Sequence, residues 1–272
     1  LTARYASRHG LGAGKAWLHV HDFLTSLDRS GLLSDQPLPI TTYPGRSALI
    51  QPEGLRELWL QLNNNCNLAC GHCLVGSGPG KEIGLPLGRL IAIVNQAVEL
   101  GAERLYVTGG EPFVRRDIFS LLKHATDARG LEVIVLTNGT AFKGPVGEGL
   151  SDLDRSRVRF QISIDGATAA TNDPIRGKGT FDRALDGARL LSDLGFEVSL
   201  TTVTTKENLT ELPAIPAIVR SVGARSQHLM WTHRRGRAAA SLNGYFPDPI
   251  DLVDAVLRTV GSAEEHGTVL DN

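Results

Sequence analysis

From about Glu57 onward the chain repeats one unit. A short apolar or β-branched run is followed by a polar, glycine-containing turn, a stretch with apolar residues at helical spacing, and another glycine. The runs at 58–62, 104–107, 133–136, 158–164, 198–203 and 228–231 predict six strands. Between them Leu87, Leu90, Ile91, Val94, Ala97 and Val98 recur with the period of a helix, as do Ile118, Leu121, Leu122 and Ala125, and again Phe181, Ala184, Leu185, Ala188 and Leu191. Gly101, Gly130 and Gly195 stand where helices stop, and Gly223 closes a further helix running from about Asn208. A last helix is predicted over 250–265.

Strict alternation with connections too long for hairpins requires crossover helices, and hence parallel strands covered by helices. Six units are too few for a closed eight-fold barrel, so an open three-quarter barrel or a doubly wound sheet remains. Both gather functional residues at the carboxyl ends of the strands. Residues 1–50 read differently. The stretch 21–33 is amphipathic and closes at Gly31, and Pro37, Pro39, Pro44 and Gly45 then mark a linker. A helical segment, the tail of a separate small module, is therefore expected ahead of an α/β core over 51–272.

Composition narrows the function. Lys and Arg number 28 against 29 Asp and Glu, so no global field recruits nucleic acid or an anionic membrane surface. No apolar run is long enough to span a bilayer. The three cysteines fall within eight positions, which excludes a disulfide scaffold and implies a reducing, cytoplasmic compartment. Met230 is the only methionine and the first residue is Leu1, so the chain reads as part of a longer protein.

Cys66, Cys70 and Cys73 follow directly on the first predicted strand, and Gly71 lets the loop fold tightly. Thiolates spaced this way can converge on one metal centre. A zinc knuckle completed by His72 or a remote histidine is the competing reading, but no second Cys/His pair with that spacing exists. Three thiolates without a fourth suggest an iron-sulfur cube with one iron open to a non-protein ligand. After the second strand comes Thr108-Gly109-Gly110-Glu111-Pro112, where two missing Cβ atoms would let a ligand lie against bare backbone; Glu111 could alternatively be an acid in a helix's first turn. Asn138-Gly139 and Asp165-Gly166 are locally hairpin signals, against which the helical runs that follow them argue.

The cysteine loop after the first strand, with Gly-Gly-Glu-Pro after the second, resembles the radical S-adenosylmethionine superfamily over about residues 58–239. The resemblance implies a partial (β/α)6 TIM-type barrel and a 4Fe-4S cluster held by Cys66, Cys70 and Cys73. The open iron would be chelated by S-adenosyl-L-methionine, whose reductive cleavage gives a 5′-deoxyadenosyl radical that abstracts hydrogen from substrate. It further implies that Gly109, Gly110 and Glu111 contact the methionine amine, that Ser163 and Asp165 reach the ribose, and that Arg176 pairs with the carboxylate. His72 and Asn138 complete the cofactor-binding candidates. His72 stands where the family usually has an aromatic residue near the adenine, Leu74 replaces a frequent Tyr, and 201–205 lacks a clear fifth-strand adenine motif.

The segment 230–238, with Arg-Gly-Arg-Ala at 235–238, resembles the SPASM branch of peptide maturases, which generally carry auxiliary clusters in a cysteine-rich C-terminal domain; no such cysteines occur before Asn272. The implied partners are a ribosomally made peptide with a leader, and an electron donor such as flavodoxin or ferredoxin. A small-molecule enzyme trimming tetrapyrrole side chains and a non-catalytic zinc- or cluster-binding adaptor are the alternatives. No base or hydrogen donor is assigned; Glu53, Tyr106, His124 and His233 are candidates, each better read as structural or solvated.

Overall fold

A computed structural model of the chain describes residues 1–34, 36, 54–240 and 245–271. It divides into two compact units, Leu1–Pro52 and Glu53–Asn272. The Pro-rich linker expected at 37–45, and Glu53, lie outside the described residues.

The described part of the first unit consists of two helices, α1 (Thr2–His9) and α2 (Ala13–Arg29). Gly10, at φ 62°, closes α1 in the left-handed conformation that glycine adopts without penalty. One helix was expected, over 21–33; α2 begins earlier, and α1 escapes the apolar pattern because its eight residues include two arginines, a histidine and no buried side chain.

The second unit is an open, wholly parallel sheet whose seven strands lie in sequence order: β1 (Glu57–Gln61), β2 (Arg104–Thr108), β3 (Glu132–Thr137), β4 (Val158–Ser163), β5 (Glu197–Thr204), β6 (Ser226–Trp231) and β7 (Val269–Asp271). Six strands were expected. The seventh has three residues, too few for an alternating pattern to register. The crossovers carry α3 (Leu87–Glu99), α4 (Ile118–Lys123), α5 (Pro145–Leu150), α6 (Ala169–Arg176), α7 (Thr180–Asp193), α8 (Ile215–Ser221), α9 (Gly236–Ala240) and α10 (Pro249–His266). The hairpin readings of Asn138-Gly139 and Asp165-Gly166 fall, because β3, β4 and β5 pair in parallel. The helix expected from Asn208 starts only at Ile215. Asn208 is held in a turn instead: its Oδ1 accepts from the Thr205 amide at 2.8 Å, and its Nδ2 donates to the Val203 and Asp165 carbonyls.

The two faces of the sheet differ. Leu60, Leu105, Val107, Val133, Val135, Phe160, Ile162, Val198, Leu200 and Leu229 point outward and form one buried core with Leu90, Val94, Leu121, Leu122, Ala188 and Leu191 of the helices. The inner face carries charge at its amino-terminal rim. Arg104 bridges Glu57 at 2.9 Å and Glu132 at 2.8 Å, Arg159 bridges Glu132 at 2.9 Å and Glu197 at 3.6 Å, and Arg225 reaches Glu197 at 3.5 Å. Opposite charges therefore alternate strand by strand, which favours this pairing over neighbours that would set like charges opposite one another. Among the described residues no helix is long and apolar enough to cross a membrane.

Outward burial and inner-face charge should contribute unequally. Phe160→Ala, emptying a fully buried site, is expected to cost about 3–5 kcal/mol. Glu132→Gln, a partly exposed and salt-screened position, should cost no more than about 1 kcal/mol. Urea unfolding of both variants checks the order.

Candidate functional site

The carboxyl ends of β1 and β2 are sewn together by backbone. The Gly110 amide donates to Asn63 O at 2.8 Å and to Asn63 Oδ1 at 3.1 Å, and the Glu111 amide donates to Asn65 O at 3.0 Å. A Cβ on Gly110 would come within 2.2 Å of Asn65 O, and one on Gly109, at φ 157°, within 2.9 Å of Asn63 O. The paired glycines thus admit the chain's own backbone, a correction to the expectation of bare amides kept for a ligand. Their carbonyl oxygens are different: among the described residues neither accepts a hydrogen bond.

Glu111 turns inward. Its carboxylate is fully buried and accepts from Thr137 Oγ1 at 2.6 Å, the Asn138 amide at 2.8 Å and the Phe113 amide at 3.2 Å. Burial pushes its pKa up, against the pull of those three donors. Contact between this carboxylate and an amine, expected from the sequence, does not fit an enclosed group whose oxygens already serve the turn after β3.

The cysteine loop lies beside these turns. Cys66 is buried, Cys70 and Cys73 are partly exposed, and all three are free thiols. Burial pushes the Cys66 thiol up to about 11 and raises Cys70 as well, with Arg176 and Arg237 pulling Cys70 the other way. The thiols are close enough for the charge of each to raise its neighbours. Yet among the described residues no three His, Cys, Asp or Glu side chains gather tightly enough for a single metal ion. A donor set of three neighbouring thiols that do not close on one point suits a multi-iron cube better than one tetrahedral ion.

Four contacts fix the loop. The Gly71 amide donates to Ile175 O at 2.8 Å, and Arg237 donates through Nε to Cys70 O at 2.7 Å and through its amide to Cys73 O at 3.0 Å. Asn138 Nδ2 donates to Asn67 Oδ1 at 2.8 Å and lies 3.9 Å from the Cys66 sulfur. A Cβ on Gly71 would meet the Tyr245 hydroxyl, so a larger residue there requires the tyrosine side chain to move.

Asp165 joins the loop to the barrel. Fully buried, its carboxylate meets His72 Nε2 at 2.5 Å and Arg176 Nε at 2.6 Å, and accepts from the Val203 amide at 2.9 Å. Its own amide donates to Asn172 Oδ1 at 2.9 Å. Burial alone would raise this carboxyl, but the charges of Arg176 and His72 outweigh it and hold it far below the ordinary 3.8. His72 is therefore bound to Asp165, with the Tyr245 ring edge-on at 6.1 Å between centroids.

Arg176 ends α6 and is buried, where a loop arginine would be solvated. Its Nε–H lacks an aligned acceptor, and among the described residues its terminal nitrogens meet none. The Asp165 carboxylate meets this guanidinium on its Nε edge, which leaves the terminal nitrogens for a second acceptor. The Ser163 hydroxyl likewise has no protein partner among the described residues. Sequence reasoning missed Asn63, Asn67, Asn172, Asn208 and Tyr245, whose roles depend on distant backbone. Of the other candidates, His124 bonds to Asn95 at 2.8 Å, His233 is exposed, and Tyr106 stacks on Trp59 at 4.0 Å on the sheet's inner face.

The family description "Radical SAM superfamily" matches residues 60–215. An AdoMet-dependent heme synthase of Methanosarcina barkeri is 33% identical over 187 residues, covering 66% of this chain and 52% of that protein. The mycofactocin maturase MftC of Mycolicibacterium smegmatis is 34% identical over 194 residues, covering 71% and 48%. The crystal structure of Streptococcus suis SuiB bound to precursor peptide SuiA superposes with a TM-score of 0.70 at 16% identity, over 95% of this chain and 62% of that one. The chain thus spans about half the length of these curated relatives.

Two substitutions test the geometry. Gly110→Ala must move backbone and should be markedly destabilising. Asp165→Asn, which strands a buried guanidinium, is expected to cost about 3–5 kcal/mol. Because the folded carboxyl binds its proton less tightly than the unfolded one, its stabilisation is full above the ordinary 3.8 and is lost as pH falls below that toward the folded value. Urea midpoints of the metal-free protein should accordingly drop on acidification from about pH 6 to about pH 3, and drop less in Asp165→Asn.

Proposed function

The chain belongs to the radical S-adenosylmethionine superfamily, whose members use a 4Fe-4S cluster and S-adenosylmethionine, and from that premise we propose that it is an enzyme that modifies a ribosomally made peptide by hydrogen abstraction. The observation that carries the radical chemistry is the trio of free, mutually interacting thiols in a loop clamped by Asp165, Arg237 and Asn138.

In this reading Cys66, Cys70 and Cys73 hold the cluster. When bound, the cluster supplies the electron that cleaves S-adenosylmethionine to methionine and a 5′-deoxyadenosyl radical. The open carbonyls of Gly109 and Gly110 accept from the methionine ammonium, which has only donors to offer. Arg176 pairs with the methionine carboxylate, since a guanidinium fork matches that group. Ser163 binds the ribose. Asp165 orients Arg176 and His72, while Glu111 positions the turns of β2 and β3, a role that replaces its expected contact with the amine. Asn138 steadies the loop beside Cys66. The electron enters from a flavodoxin or ferredoxin, in the cytoplasm, where thiols stay reduced.

The peptide assignment is supported by the likeness to a mycofactocin maturase and by a fold that in SuiB accommodates a precursor peptide. The α1–α2 unit is read as the tail of a leader-binding module, and a SPASM-like domain would belong to the full protein. A tetrapyrrole substrate is the second reading, favoured by the similarity to a heme synthase.

Anaerobic reconstitution should give about four irons per chain and an absorption band near 400 nm, and reduction with S-adenosylmethionine should release 5′-deoxyadenosine. One zinc and no band would leave only the adaptor. Cys70→Ala should lose the cluster and with it 5′-deoxyadenosine formation, a larger loss than the about 10- to 100-fold that removing an outer-shell partner of a metal ligand costs. Substrate class is decided separately: a leader peptide encoded beside this protein should be retained by it on a column and change mass on turnover, whereas coproporphyrin-type compounds should leave 5′-deoxyadenosine formation unchanged.

A further inference from the structure

The inner face of the sheet encloses a cavity of about 460 Å³ with walls drawn from all seven strands. Its floor is the alternating charge row, whose members pair with one another. Above that lie the stacked Trp59 and Tyr106 rings, Ile134, Leu136 and Met230. In the same wall Asp271 accepts from His228 Nδ1 at 2.8 Å and from Ser226 Oγ at 2.6 Å. Burial raises the Asp271 pKa, but the bonds from His228 and Ser226 outweigh it and hold it below its ordinary value, so the carboxylate is ionised and can only accept. The Nδ1 of the imidazole therefore carries a hydrogen toward Asp271, and its Nε2 has no protein partner among the described residues.

Register sets the height of this group. Thr201 pairs with Ser163 on one side and with His228 on the other, and His228 pairs with Asp271. Alternation along β5 points Thr201 to the inner face with Ser199, which lines the cavity, and its buried hydroxyl has no hydrogen-bond partner among the described residues. His228 thus lies in one cross-strand row with the serine assigned to the ribose, inside a walled cavity that the proposed cofactor contacts do not use.

We infer that His228, fixed in one tautomer by Asp271 with Ser226 behind it, is a substrate-recognition site: Nε2 accepts a hydrogen bond from an uncharged hydroxyl or N–H group borne on an apolar or aromatic body that lies against Trp59 and Tyr106. An uncharged donor is required because every charge lining the cavity already has a partner. The assignment deepens the enzyme reading, resting on it only in treating the row of Ser163 as bordering the nucleotide.

The test needs neither reduction nor S-adenosylmethionine. Histidine-¹⁵N-labelled full chain, reconstituted and left oxidised, is examined by long-range ¹H–¹⁵N correlation near pH 7.5, with His228→Gln identifying the resonance among the eight histidines. An unprotonated Nε2 is expected, and benzyl alcohol should shift it, while toluene and benzylammonium should not. Asp271→Asn should mix the tautomers and weaken benzyl alcohol binding roughly two- to tenfold, the worth of one hydrogen bond; Ser226→Ala should do the same more mildly. A protonated Nε2 in the unmodified chain, or no response to benzyl alcohol up to its solubility limit, overturns the assignment. Failure here leaves the radical chemistry standing, and absence of 5′-deoxyadenosine leaves the tautomer result standing.

Discussion

One buried carboxylate ties the functional end of the barrel together. Asp165 has no exposed surface, and a carboxylate in that position is tolerable only if its charge is met and its oxygens are satisfied. The partners that do so come from three places distant in sequence: His72 from the cysteine loop, Arg176 from the end of α6, and the amide of Val203 on β5. Any movement of the loop, the helix or the strand relative to the others would strip a partner from the charge. The carboxylate therefore fixes the distance between the cysteine loop and the guanidinium beside it.

Around that centre the same device is repeated with weaker groups. Asn63 spans the turns of β1 and β2, the Asn67–Asn138 pair spans those of β1 and β3, and Asn208 spans β4 and β5. An asparagine offers both acceptor and donors, so one short side chain can satisfy two backbones where strands end and ladder bonds run out. Polar burial at the strand ends thus substitutes for the apolar packing that holds the outward face.

The fold was legible because apolar spacing repeats six times and several crossover helices stop at a glycine, as at Gly101, Gly130 and Gly195. β7 was not, being three residues long, nor was α1, which buries nothing. The cysteine loop and the Gly-Gly-Glu-Pro turn announced a site because residue type and local spacing suffice for them. What they could not announce was direction. Glu111 reads as an acid at a helix start, and only the arrival of Thr137 and Asn138 from β3 turns it into an internal acceptor. Asp165, His72 and Arg176 were each singled out, yet His72 and Asp165 meet across 93 positions of chain and no local pattern encodes it. His228 and Asp271 stayed hidden for the same reason: the first looked like a strand residue, and the second belongs to the strand that went unseen.

The unclosed sheet gives these arrangements their consequence. In a closed eight-stranded barrel, inward side chains fill the interior as a packed core; here most apolar residues of β1 to β6 face the helices, and the inner side mixes charged, aromatic and hydroxyl groups with Ile134, Leu136 and Met230. An inner wall of that composition cannot collapse on itself without burying unpaired polar atoms, so it stays open and walled. The alternating charges at its amino-terminal rim neutralise one another, while the carboxyl-terminal end holds the cysteine loop and the buried charges of Asp165 and Arg176. A substrate with an apolar body and one donor group would then be oriented by the cavity's own asymmetry, body toward the aromatic wall and donor toward His228, at the level of the strand ends where the radical is proposed to form.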